Sequence, residues 1–289
     1  MASGKTSKAV RNARASVVVK KPTPWGTIAA VVAIVLFGGA VFGYVYVKWD
    51  AKQELEAALA AYTPSESNQD PSDKIDGVEK IDYSQSRGHV DATQRVAYDQ
   101  LPPFGGPHDS VWAACNGVVY SQPVRNENMV HPLEHGAVWI AYNPDRITGS
   151  ALDTLKAKVE NQQYIMMSPY PDLDKPISLQ SWGHRLKLDS ADDERIDQFI
   201  RALRTNPYQH PEVGGTCDAQ PGTWNVDAPS PFVNTEYPPD AVPMTGGTPP
   251  EGSGEPAESG ATAPPATTAP SGEAAPSSGA PAASTQPTG

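Results

Sequence analysis

Only two cysteines occur in the 289 residues, no lysine or arginine follows Arg204, and no aspartate or glutamate precedes Asp50. Each shortage excludes something. Two cysteines without C-x-x-C spacing point away from a thiolate metal site and toward a Cys115–Cys217 disulfide in an oxidising compartment. With no cations after Arg204, the formal charge of −11 sits on the later part of the chain, which argues against nucleic acid as a partner. From Thr245 onward the chain is almost wholly Pro, Ala, Gly, Ser, Thr and Glu and has nothing to bury, so it is expected to stay disordered. A Ser-His-Asp order, a phosphate loop and a dinucleotide fingerprint are missing as well.

What is present begins with a stretch that has no charge, from Trp25 to Val47. At about 1.5 Å per residue it is long enough to cross a hydrocarbon core of about 30 Å. Trp25, Tyr44, Tyr46 and Trp49 sit near its ends, where amphipathic rings favour the interface. Lys5, Lys8, Arg11, Arg14, Lys20 and Lys21 precede it. The positive-inside rule then predicts a cytoplasmic segment 1–24, a plasma-membrane helix 25–47 and an extracytoplasmic remainder. Val45–Trp49, not a small-residue cleavage site, follows the apolar stretch, so the anchor is expected to stay uncleaved. Gly39 and Gly43 have the small-xxx-small spacing that lets two such helices approach, which makes a helix dimer an expectation beside the lipid bilayer.

Residues 48–73 read as a stalk and linker. Asp50–Tyr62 is rich in helix formers, Pro64 stops it, and Ser65–Asp73 is polar. Residues 74–218 have the pattern of one α+β domain, a mostly antiparallel sheet with two packed helices. Strands are expected at Gly117–Tyr120, Ala137–Tyr142, Ile177–Leu179 and Leu186–Leu188. Ser150 is the expected cap of one helix and Ser190 of another, whose apolar face carries Ile196, Phe199, Ile200 and Leu203. Residues 219–289 read as a disordered tail, although Trp224, Phe232 and Tyr237 give its first part a means of lying along the domain.

The stretch Met129–Tyr142 is where the domain is expected to be organised. Its second half is a buried strand, and just ahead of that lie Met129, His131, Glu134 and His135. His131–Pro132–Leu133–Glu134–His135 has the H-x-x-E-H spacing of inverted zinc proteases. That chemistry needs both histidines on a continuous helix with the glutamate as base. Pro132 fits only a first helical turn and Gly136 follows at once, so a protease is not expected. A softer metal site remains: imidazoles from His108, His131 and His135, a thioether from Met129, and Glu134 and Trp182 in support. Met166 and Met167 are further thioethers on a neighbouring strand. Imidazole with thioether points to copper. The competing reading has His131 and His135 tying a loop to backbone, with Glu134 orienting one of them.

Three groups of residues carry a resemblance. They are Pro102–Pro103 with Gly106–Pro107–His108, the block Val130–Val138, and Ser168–Pro169–Tyr170–Pro171 leading to Ser181–Trp182–Gly183. Over roughly Arg95 to Glu212 the chain resembles the actinobacterial and related membrane-anchored proteins of the domain of unknown function 3105 family. The resemblance implies an anchored extracytoplasmic domain and brings no activity with it. The expectation is a single-pass envelope protein that works as a binding or interaction module with an envelope protein partner. The alternative is a protein that binds copper or another transition metal. No nucleophile accompanies Glu134 and His135, so an enzyme is not expected.

Overall fold

The structure is a computed structural model that describes residues 23–219 and 221–245. The expected basic segment up to residue 22 and the tail from residue 246 lie outside the described residues. Helix α1 (Trp25–Leu59) carries the uncharged stretch and runs on through the expected stalk. It is long and apolar enough to cross a membrane, and bulky residues such as Phe37 and Phe42 are exposed on it. Gly39 and Gly43 have open space where a Cβ would stand.

Among the described residues, ten strands follow α1: β1 (Glu79–Lys80), β2 (His89–Val90), β3 (Val96–Ala97), β4 (His108–Asp109), β5 (Asn116–Val119), β6 (Val138–Tyr142), β7 (Ile165–Pro169), β8 (Ile177–Ser181), β9 (His184–Leu188) and β10 (Val242–Pro243). Three further helices are α2 (Asn126–Glu134), α3 (Gly149–Val159) and α4 (Arg195–Leu203). Six strands form the main sheet in the order β1-β9-β8-β6-β7-β5, antiparallel from β1 to β6 and parallel from β6 to β5. The domain is therefore α+β with a mixed, mostly antiparallel sheet.

Side chains alternate across β6, and this divides the core in two. Val138, Ile140 and Tyr142 face a cluster built with Leu155 and Val159 of α3 and Ile196, Phe199 and Leu203 of α4. Trp139 and Ala141 face the opposite cluster, which includes Met129, Val130 and Leu133 of α2. Met166 and Met167 on β7 divide the same way, one to each cluster. The two helices expected from periodicity thus cover one face, and α2, in which Pro132 argued against a continuous helix, covers the other.

Several boundaries differ from expectation. α3 is preceded by Thr148 and not by Ser150. α4 begins at Arg195; the Ser190 hydroxyl instead accepts from the Asp192 amide at 3.2 Å, and Asp193 is drawn to Arg195 at 2.7 Å. The expected linker does not hang free. Leu59 is buried, Gln69 O accepts from Asn206 Nδ2 at 2.9 Å, and Asp70 meets Lys80 at 2.5 Å and His184 at 3.1 Å. These polar contacts replace the apolar signal whose absence suggests a linker.

Residues 221–245 likewise lie along the domain and are not part of a detached tail. Trp224 Nε1 donates to Tyr120 Oη at 3.0 Å, Phe232 meets Tyr170 with ring centroids 4.9 Å apart, and the Arg95 guanidinium sits 4.7 Å from the Tyr237 ring. β10 pairs in parallel with β3. Three aromatic residues in a polar segment provide enough anchorage to hold it.

Asp70 gives a prediction about acid. Burial opposes a charge there, but His184, Lys80 and Ser72 hold its carboxyl well below the usual carboxylate range. A group depressed in the folded state stabilises fully above its unfolded value of about 3.9 and loses that contribution as the pH falls through its folded value. Asp70→Asn should therefore be less stable than wild type at neutral pH, with the gap closing below about pH 4. Urea unfolding followed by circular dichroism at both pH values checks this. A gap that does not change with pH would remove Asp70 from the acid response.

Candidate metal centre

Helix α2 sets the site. At 100° per residue, His131, Glu134 and His135 fall within about 100° of one another, while Met129 and Leu133 occupy the other side. Pro132 lies inside this helix, the seventh of its nine residues, and not in its first turn. A helix-internal proline leaves the carbonyl four residues back without its helical partner. Here that carbonyl belongs to Asn128, and it accepts the Ala113 amide at 2.9 Å instead. The helix is then anchored at its start by Arg125, which contacts Asp109 and lies 3.2 Å from Glu127.

Strands β2 and β4 bring two more histidines in. They pair in parallel with His89 opposite His108. His89, His108, His131 and Glu134 each offer a ligand atom, and these four atoms lie within 4.8 Å of one another. A second group, His131, His135 and Glu212, meets the same limit and shares His131.

Backbone carbonyls orient the rings. His108 Nδ1 donates to Gly106 O at 2.9 Å, His131 Nδ1 to Asp109 O at 2.6 Å, and His135 Nδ1 to Thr216 O at 2.7 Å. A ring that donates through Nδ1 keeps the lone pair on Nε2 free, which is the arrangement metal-ligating histidines use. His131 is held neutral down to about 2, first by burial and then by the neighbouring His108. Burial likewise pushes His89 down. Trp182 stands edge-on to His108 with centroids 6.1 Å apart, and Trp112 packs 5.2 Å from both His131 and His135.

Glu134 is the anomaly. Its side chain is 0% exposed, and His108 Nε2 lies 3.0 Å from Oε2. No hydrogen bond joins the two atoms. Among the described residues, His89 Nε2, His108 Nε2 and both Glu134 oxygens have no hydrogen-bond partner. A buried carboxylate without partners costs several kcal/mol unless a cation compensates it.

Residues 89–219 match the family model described as protein of unknown function (DUF3105). This domain belongs to that family. The match takes in all six candidate ligands and both cysteines of the DUF3105 domain. No curated protein and no solved structure matches the chain.

Of the ligands expected from sequence, His108, His131 and His135 lie in the two groups, and Glu134 is itself a candidate ligand beyond its supporting role. Met129 is packed in the apolar cluster on the opposite side of α2, and Met166 and Met167 are buried on their strand, one in each cluster. Trp182 lines both His108 and an open cleft of about 500 Å³ with His184 and His210. Cys115 and Cys217 form the disulfide, with Cα atoms 4.8 Å apart. Sequence reasoning missed His89 and Glu212. His89 enters through a two-residue strand with no periodicity to find, and Glu212 through a backbone bond from its amide to Glu134 O at 3.0 Å. The one usable signal was that all six histidines fall between His89 and His210.

Proposed function

We propose that the chain is a membrane-anchored binding protein for a divalent first-row transition ion, held by His89, His108, His131 and Glu134. The observation that carries this reading is the convergence of three imidazole nitrogens on a fully buried carboxylate whose oxygens have no hydrogen-bond partner among the described residues. An interaction module without metal chemistry would have no use for such a costly group. Ligands of a tetrahedral ion at 2.0–2.2 Å stand about 3.4 Å apart, so a contraction of about 1.4 Å at the widest, from 4.8 Å, completes the shell. With Met129 in the apolar cluster, the donors are three nitrogens and one oxygen, which suits Zn²⁺ or Cu²⁺ better than cuprous ion.

An extracytoplasmic location is part of the proposal. The six basic residues before α1 and the disulfide both support it. The test is metal content. Full-length chain purified in detergent should retain or take up a single ion in the buried site, measured by mass spectrometry of the metal and by titration with Zn²⁺, Cu²⁺ and Co²⁺. No stoichiometric uptake of any of the three would overturn the reading.

A further inference from the structure

The second ligand group gives the site a route. We propose that His131, His135 and Glu212 form a transfer position through which the divalent ion passes on its way into and out of the buried site, with His131 handing it from one ligand set to the other. This rests on the metal-binding reading and extends it to exchange.

Three observations carry the proposal. First, the two groups share His131, and its Nδ1 is committed to Asp109 O, so only Nε2 is left to ligate. One lone pair serves one ion at a time, so the groups are alternative positions for a single ion and not a pair of sites. Second, exposure falls along the series. The Glu212 side chain is 35% exposed and its partner His135 is 4%, while at the other end His108 and Glu134 are 0% and the Nε2 of the partly exposed His89 is buried. Third, each position has its own carboxylate, Glu212 outside and Glu134 inside, and the ion keeps one negative partner throughout. The two acids are fixed relative to each other, because Glu134 O accepts both the Glu212 amide at 3.0 Å and His210 Nδ1 at 3.1 Å.

The packing suits a relay. The His131 and His135 rings lie 4.8 Å apart between centroids, and Trp112 covers both. Gly215 comes so close to His135 that a Cβ there would stand 2.5 Å from the ring. His135 Nε2 is 3.2 Å from Glu212 Oε2. An ionised, partly exposed carboxylate at the rim is a natural first contact for a hydrated cation.

The experiment is metal exchange on the full-length chain in detergent. Co²⁺ uptake is followed by its absorption in a stopped-flow instrument, and removal by added EDTA. In Glu212→Gln, uptake and removal should both slow by about tenfold or more, within the range an outer-shell partner contributes. Their ratio, the equilibrium affinity, should change less than either rate. Glu212→Asp should recover part of both rates, and thermal melting of each apo variant checks that the fold is intact. Uptake and removal at wild-type rates in Glu212→Gln would overturn the transfer position and leave the buried site standing. Faster removal with unchanged uptake would also overturn it, since Glu212 would then be a resident ligand. A wild-type chain that takes up no metal would overturn the binding reading itself, and this inference with it.

Discussion

Replacing His131 with alanine is expected to lower the affinity of the full-length chain for Zn²⁺ or Co²⁺ by more than about 100-fold, beyond the 10–100-fold that loss of an outer-shell partner costs. His131 is the ring common to both ligand groups, and burial holds it neutral down to about 2. Its loss therefore removes a ligand from the buried position and breaks the link to the rim at once. Glu134→Gln is expected to act in the same direction by a different cause. The shape stays, but the negative charge that a cation would neutralise is gone. Isothermal titration measures both. Met129→Leu is the control, because it tests the thioether that the sequence offers as a ligand. A Met-to-Leu exchange in a core costs less than about 1.5 kcal/mol, and with Met129 on the far side of α2 it should leave affinity untouched. If Met129→Leu weakens binding as much as His131→Ala, the buried site has been drawn around the wrong residues.

The second large effect is on stability. Cys115→Ser together with Cys217→Ser opens a loop whose ends are 102 residues apart. On the chain-entropy account, a loop of that length is worth about 4–5 kcal/mol, a large share of the roughly 5–15 kcal/mol that a folded domain has. Urea unfolding with and without reductant measures it, and a difference below about 1 kcal/mol would contradict the entropic account. The loss should not be evenly spread. The Cys115 amide donates to Cys217 O at 3.0 Å, and the chain just before Cys217 supplies Thr216 O to His135 and Gly215 O to Tyr164 Oη. Reduction should therefore loosen the arm that carries Glu212 before it disturbs β6.

How far these features were legible in the sequence depends on the reach of the contacts that make them. The strand Val138–Tyr142, the long apolar helix and the cysteine pair were legible because each shows as a run, a period or a count. The faces of α3 and α4 were legible too, though their caps were not, since Ser190 spends its hydroxyl on the turn ahead of α4. Residues 65–73 read as free chain because they dock through polar contacts rather than an apolar face, whereas Trp224, Phe232 and Tyr237 already marked the segment after the disulfide as one that could lie along the domain. At the site, the histidines near His131 could be grouped from sequence, whereas His89 and Glu212 could not. Each is delivered by a single long-range backbone pairing, one in β2 and one to Glu134 O. Met129 misled for a local reason: two residues along a helix is about half a turn, which carries a neighbour in sequence to the opposite side.

Pro132 has a wider effect than its place in one short helix suggests. By having no amide hydrogen, it leaves Asn128 O to Ala113, and so a bond that would have been spent inside α2 fastens the strand-to-disulfide connection onto it. That connection runs from His108 and Asp109 to Cys115. It holds one candidate ligand, the carbonyl that orients another, and one end of the covalent clasp. A residue with its own amide at position 132 would compete with Ala113 for Asn128 O. The helix would become more regular, and the part of the domain that carries the candidate ligands would be less tightly sewn together.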